Sequence, residues 1–275
     1  MKPAAFDFVR PETLQEALQE LGRAGGDARV IAGGQSFVAM LNMRLASPAV
    51  LVDVMGLTEL GRIEKSKGAI RIGAGVRQAI LHAWPDLSDE LPLVARMMPW
   101  VGHPQTRTRG TICGSIAHAD PSAELPLAMI ALGGSVHLRT SRKRRTVAAA
   151  DFFVGMMATD LGEGELIEAV SIPVRAKGSG YAFREISRRH GDFAIVAAAA
   201  VVGPDSASLS IAGVDDQPRR FEVPMPDEDG LEDALNEIAW SLNARDDFHA
   251  SARYRRDLVR RLGRSTLEEA ASCRA

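Results

Sequence analysis

Cysteine is scarce in this sequence: Cys113 and Cys273 are the only two among 275 residues. That excludes a disulfide framework, and it excludes a four-cysteine zinc or iron–sulfur site within the chain. The six histidines form no H-E-x-x-H pair, so no zincin-type metal helix is expected. An excess of one charge is lacking too. Thirty-three Lys and Arg against 35 Asp and Glu leave a formal net charge of −2, which gives no electrostatic footprint for nucleic acid. The one dense basic run, Arg142-Lys143-Arg144-Arg145, is short and reads as a solvated hairpin turn. No uninterrupted apolar run reaches spanning length, so no integral membrane segment is expected. Met1-Lys2-Pro3-Ala4-Ala5-Phe6-Asp7 has no apolar signal core, and the expectation is a cytoplasmic protein. Two nucleotide signatures are missing as well. There is no G-x-G-x-x-G, and no lysine follows the glycines of Ala32-Gly33-Gly34-Gln35-Ser36, so neither a Rossmann fingerprint nor a P-loop is present.

What is there is an ordinary globular composition, 46% hydrophobic and 25% charged, in a chain long enough for two domains. Residues 11–25 read as a helix, with Pro11 suited to a first turn, Leu14, Ala17, Leu18 and Leu21 at helical spacing, and Gly25-Gly26 as the stop. Short strands are expected at 29–32, 49–54 and 69–75. Residues 76–98 look helical but broken near Pro85 and Pro92. An aperiodic loop covers 101–126, followed by a helix at LAMIAL, a hairpin through the basic run, and a strand at LIEAVSI. Pro173 and the RAKGSG stretch mark a boundary near 176. Beyond it GYAFREIS, FAIVAAAAVV, SLSIAGV and RRFEV read as a strand series, with helices near 228–244 and 250–262 and a polar tail that continues the helical pattern less clearly. The fold class is α+β.

Two loops carry the chemistry. In Ala32-Gly33-Gly34-Gln35-Ser36, glycine lets the backbone approach a ligand closely. Successive N–H groups there can point inward as an anion nest, beside a hydroxyl and a helix start. An ordinary turn is the plain alternative. Gly110-Thr111-Ile112-Cys113-Gly114-Ser115 combines the same elements inside the longest aperiodic stretch, where long structured loops are often functional. Two such loops suit the two phosphates of a diphosphate.

IAGGQS, RGTICGSIAHADPSAELP and SRRHGDFAIVAAA occur in that order. Together they resemble the FAD-binding medium subunit of molybdenum hydroxylases, the carbon monoxide dehydrogenase, xanthine dehydrogenase and nicotine dehydrogenase family. The resemblance covers essentially the whole chain. It implies residues 1–175 as a two-subdomain FAD-binding domain of the vanillyl-alcohol-oxidase (PCMH) type, with subdomains at about 1–55 and 56–175. Residues 176–275 follow as a smaller α/β C-terminal domain with an antiparallel sheet. It implies Ala32, Gly33, Gly34, Gln35 and Ser36 as the first diphosphate loop, and Thr111, Ile112, Cys113, Gly114 and Ser115 as the second. Asp120 and Glu124 would meet the ribose and adenine end. Leu161 and the Arg184-Glu185 pair would lie near the flavin, and Asp192-Phe193 would border its ring.

The function the resemblance implies is an electron-transfer subunit. It would accept electrons from an iron–sulfur small subunit beside a molybdopterin large subunit, in a dimer of heterotrimers, and pass them to an external acceptor through FAD, with no metal of its own. The chain departs from the common pattern at Cys113, where many members have glycine, at Gln35, where some have histidine, and at Arg184-Glu185, where several carry lysine. His103 and His118 either tune the flavin or are solvated; Arg107 and Arg109 either neutralise the diphosphate or pair with carboxylates. Two other classes stay open at this stage. One is a stand-alone FAD-dependent oxidase or reductase, for which His190 is the one candidate base. The other is a non-catalytic nucleotide-binding module.

Overall fold

The computed structural model describes residues 2–274. The chain opens with β1 (Asp7–Val9), α1 (Leu14–Ala24), β2 (Ala28–Ile31), α2 (Phe37–Asn42) and β3 (Val50–Asp53). The strands form a parallel sheet in the order β1-β3-β2. Helix α1 starts at Thr13, whose Oγ1 accepts the Glu16 N–H at 3.2 Å, a side-chain cap for one of the free N-terminal amides. It buries Leu14, Ala17, Leu18 and Leu21 along one stripe. Central strand β3 is buried along its length, as a parallel strand covered on both faces must be.

The second subdomain begins with β4 (Ile63–Ser66) and β5 (Ala69–Gly73), then α3 (Gln78–His82), α4 (Leu87–Glu90), α5 (Pro92–Met97), α6 (Pro104–Arg107), α7 (Ile112–His118) and α8 (Glu124–Ala131). It continues through β6 (Ser135–Arg139), β7 (Arg144–Ala148), α9 (Ala149–Phe152), β8 (Phe153–Gly155), β9 (Ala158–Thr159) and β10 (Leu166–Pro173). Its main sheet is antiparallel in the order β4-β5-β10-β6-β7. The prolines divide the 76–98 stretch as expected: Pro92 opens α5, where a missing N–H costs nothing. Every residue of α8 is buried, because this apolar helix lies between the second subdomain and the next sheet.

That sheet consists of β11 (Gly180–Ile186), β12 (Val196–Val202), β13 (Ala207–Ala212) and β14 (Arg219–Val223), antiparallel in sequence order. Helices α10 (Leu231–Ser241) and α11 (Ala252–Ser272) cover its far face. The alanine run of β12 alternates between two cores. Ala197 and Ala199 face the core that continues through both N-terminal subdomains, whereas Ala198 and Ala200 face the helices. Small side chains on both faces let the layers close tightly. At Gly180 a Cβ would fall 1.9 Å from the Ala270 carbonyl oxygen, so α11 crosses β11 at backbone contact.

Three features differ from the sequence expectation. The 101–126 stretch is not one loop: it holds α6 and α7, each too short to show a period. Helix α11 runs unbroken through the polar tail for 21 residues. The short strands β1, β4, β8 and β9 carry no alternation of their own and form by pairing with neighbours.

Candidate functional site

A cleft of about 1260 Å³ is lined by both N-terminal subdomains and by the C-terminal domain. Its first wall is the turn from β2 into α2. Gly34 there has φ +71°, a left-handed conformation that glycine adopts without strain. Among the described residues, the N–H groups of Gly33, Gly34, Gln35 and Ser36 donate to no protein acceptor. Four consecutive amides are thus available to a ligand.

The second wall is the start of α7. Gln78 donates its N–H to the Gly110 carbonyl at 2.8 Å, and Ile112 donates to that of Val76 at 3.2 Å. These bonds pin residues 110–112 beside the start of α3. Thr111 caps α7: its Oγ1 accepts the Gly114 N–H at 3.0 Å. The two walls touch, since Gly33 lies directly against the backbone of Arg109 and Gly110.

The C-terminal domain closes the cleft at its other side. The Gly213 N–H donates to the Pro121 carbonyl at 2.9 Å. Arg255, almost fully buried on α11, donates to the carbonyls of Ile195 (2.9 Å) and Gly213 (2.8 Å) and pairs with Asp247 at 2.6 Å. Sequence reading missed Arg255. Its signal was an arginine on the apolar face of a helix, legible only once that face is known.

Of the residues singled out from sequence, Ala32, Gly33, Gly34, Gln35, Ser36, Thr111, Cys113, Gly114, Ser115, Asp120, Glu124, Leu161, Asp192 and Phe193 line this one cleft, with His103 and His118. Ile112, Arg184 and Glu185 do not. Ile112 is turned into the core. Arg184 points to the α11 side of β11 and pairs with Glu269 at 2.9 Å. Glu185, on the opposite face of that strand, is buried with both carboxylate oxygens lacking a partner. Arg107 neither faces a phosphate seat nor pairs with a carboxylate; it donates to the Val101 and Gly102 carbonyls, both at 2.9 Å. Arg109 lines a smaller hollow behind the first loop. His190 lies outside the lining and packs edge-on against Trp100, 4.7 Å between ring centroids.

Burial dominates the electrostatics. It pushes the Cys113 thiol up to about 12, which makes it inert rather than nucleophilic. It raises Asp120, and it takes Glu124 up to about 7, with repulsion from Asp120 added. Acid groups near the cleft are therefore unusually ready to hold protons.

A model of the FAD binding domain in molybdopterin dehydrogenase matches residues 4–175. The chain belongs to this flavoprotein family. A model of the CO dehydrogenase flavoprotein C-terminal domain matches residues 181–270. The nicotine 6-hydroxylase medium subunit of Paenarthrobacter nicotinovorans is 36% identical over 291 residues, covering 99% of each chain. The 6-hydroxypseudooxynicotine dehydrogenase complex subunit alpha of the same organism is 43% identical over 205 residues, 74% of this chain and 69% of that one. A crystal structure of the Cu,Mo-CO dehydrogenase in its cyanide-inactivated form superposes with TM-score 0.93 at 31% identity, covering 99% of each chain.

The fold is thus a two-subdomain, PCMH-type FAD-binding domain with the C-terminal domain of the carbon monoxide dehydrogenase flavoprotein. The cofactor of this oxidoreductase family is FAD, and the cleft fits it: free amides on one loop and a capped helix start on the other suit an anionic diphosphate. No helix among the described residues is long and apolar enough to cross a membrane.

Proposed function

We propose that FAD lies along this cleft with its diphosphate between residues 32–36 and 111–115, and that the chain relays electrons rather than oxidising the organic substrate. The observation that carries this reading is the convergence of two glycine-bearing loops on one cleft, one of them presenting four amides without protein acceptors. FAD supplies a two-electron acceptor that can release electrons singly. The chain's own residues bind and orient it. The amides of Gly33 to Ser36 hold anionic oxygen, and Thr111 fixes the start of α7. Exposed Phe193 stands at the cleft to cover a ring face.

Two cysteines cannot ligate an iron–sulfur cluster, and among the described residues no group of His, Cys, Asp or Glu is arranged for a metal. An iron–sulfur small subunit delivering electrons and a molybdopterin large subunit oxidising the substrate complete the enzyme, as a dimer of heterotrimers in the cytoplasm. Support comes from relatives that carry the names of medium subunits and chains. The stand-alone oxidase reading loses its one candidate base, because His190 packs on Trp100 outside the cleft.

The test is direct. The purified chain should be yellow, with one FAD per chain, and should co-purify with two further subunits when all three genes are expressed together. Adding candidate organic substrates anaerobically to the chain alone should leave the flavin oxidised. Bleaching by such a substrate, or a colourless chain that cannot be reconstituted, would overturn the proposal.

A further inference from the structure

Two carboxylates remain that electron relay does not explain. Glu185 lies on the inward face of β11, two residues beyond Phe183, and Ala197 of β12 is its cross-strand neighbour. It is 6% exposed, and both its oxygens are buried without a hydrogen-bond partner. Glu124, 7% exposed, opens α8, packs under the same sheet, and reaches the lining of the cleft. An ionised carboxylate buried without partners costs several kcal/mol, so such a group keeps its proton. Burial, with repulsion from Glu124 added, takes Glu185 up to about 8.

The surroundings offer little compensation. The charged groups that act on Glu124 are Asp120 and Arg107, and Arg107 is already bonded to backbone carbonyls. The rest of α8 and the facing strand β12 carry no charge. From α5, Arg96 turns away to Glu269. In the neighbouring loop His190 is packed on Trp100, and Asp192 is paired with Arg189.

We propose that Glu185 is a proton store for the flavin cleft: it is held as a neutral carboxylic acid and discharges through Glu124 when electrons reach the cofactor. The inference rests on the FAD reading above. Iron–sulfur centres pass electrons without protons, whereas reducing FAD to FADH2 consumes two electrons and two protons. In the proposed step the Glu124 O–H bond breaks and its proton goes to the cofactor. The Glu185 O–H bond then breaks and its proton refills Glu124. The second proton comes from water in the cleft. When FADH2 gives two electrons to the acceptor it releases two protons, and one recharges Glu185. Glu185 thus acts through Glu124 and does not touch the cofactor.

The experiment compares the wild-type holoenzyme with Glu185→Gln. FAD per chain, read from visible absorbance, should be equal in the two. The infrared difference spectrum between oxidised and reduced wild type should contain a carboxylic-acid C=O band that shifts in heavy water and disappears as pH rises through about 8. Glu185→Gln should lack that band. Its rate of flavin reduction should fall by about 10-fold or more at neutral pH, at the low end of what positioned proton transfer contributes, and should lose the dependence on pH near 8. An FAD-replete wild type with no such band overturns this proposal alone, whether or not the variant folds. A variant with full FAD and an unchanged band and pH profile overturns it too. A wild type that binds no FAD overturns it together with the reading on which it rests.

Discussion

Gly33 lies so close to Arg109 that a Cβ on it would fall 2.1 Å from the Arg109 carbonyl oxygen. The neighbouring atom is backbone, and the segment around it is tied by the bond from Gln78 N–H to the Gly110 carbonyl, so it cannot swing aside. This contact sets the separation between the two loops. Gly33→Ala should therefore push them apart and cut FAD retained through purification by at least ~10-fold, a larger effect than the added methyl would have in open space. Gly56→Ala, where a Cβ meets nothing within 4 Å, is the control and should keep full flavin. Equal flavin in both variants, measured by visible absorbance per chain, would refute the contact's role.

Cys113 stands where many relatives have glycine, yet its backbone is helical, as the second residue of α7, and needs no positive φ. Its side chain is 3% exposed in the core. Cys113→Gly should accordingly keep FAD while losing stability, on the order of 1–2 kcal/mol from helix propensity and the small cavity. The native thiol, raised to about 12, should resist an alkylating reagent at pH 8. Partly exposed Cys273 should be labelled first. Mass mapping of the labelled peptides checks this.

Much of the fold was legible where local pattern and burial agree. Leu14, Ala17, Leu18 and Leu21 wrote α1 into the sequence because a stripe at that spacing can bury only as a helix. The alanine run of β12 read as a strand because β-length apolar runs between turns are few. Helix α7 was not legible: seven residues with Gly114 and Ser115 inside have weak propensity, and Thr111 and tertiary contacts hold them. At the candidate site, glycine pairs and hydroxyls pointed to the loops because they alter the backbone itself. Arg184 and Glu185 show the limit. Strand alternation sends adjacent residues to opposite faces, and only the packed sheet tells that one meets α11 and the other lies under α8.

Thr111 links helix stability to the second loop. Its Oγ1 accepts the Gly114 N–H at 3.0 Å, and a Cβ at residue 114 would come within 2.7 Å of that oxygen. Thr111→Val keeps the shape and removes the acceptor. It should cost about 1 kcal/mol of stability and loosen α7 where the diphosphate is proposed to bind, weakening FAD by several-fold. Thr111→Ser should restore both. Thermal unfolding and flavin titration of the apoprotein measure the two effects separately, and a Val variant with wild-type flavin affinity would detach this loop from the cofactor.

Arg255 fixes the C-terminal domain to the rim of the cleft through two carbonyls and Asp247. Arg255→Met keeps much of the buried stem but leaves the carbonyls of Ile195 and Gly213 without their donor. A buried acceptor left unmade costs roughly 1–3 kcal/mol, and the loss falls where Gly213 also bonds to Pro121. Hydrogen exchange should rise at Gly213 and at the start of α11 before it rises in β12. Uniform exchange across the domain would mean that Arg255 stabilises the fold without holding the rim.

The buried acid pair gives the stability a slope in pH. Glu185 moves from an ordinary 4.5 up to about 8 in the folded chain, and Glu124 from 4.5 up to about 7. The folded state therefore binds more protons than the unfolded one between these values. The stability these groups contribute is full below pH 4.5, declines as pH rises, and is lost by about 8. Glu185→Gln cannot ionise. Relative to wild type it should be close to neutral at pH 5 and more stable at pH 9, with a gain on the order of 2 kcal/mol after allowing for the buried amide, or roughly 5 °C in Tm. Thermal unfolding at the two pH values reads the difference. A variant that is less stable than wild type at pH 9 would show that ionised Glu185 is compensated in the fold, and that the buried acid carries no penalty.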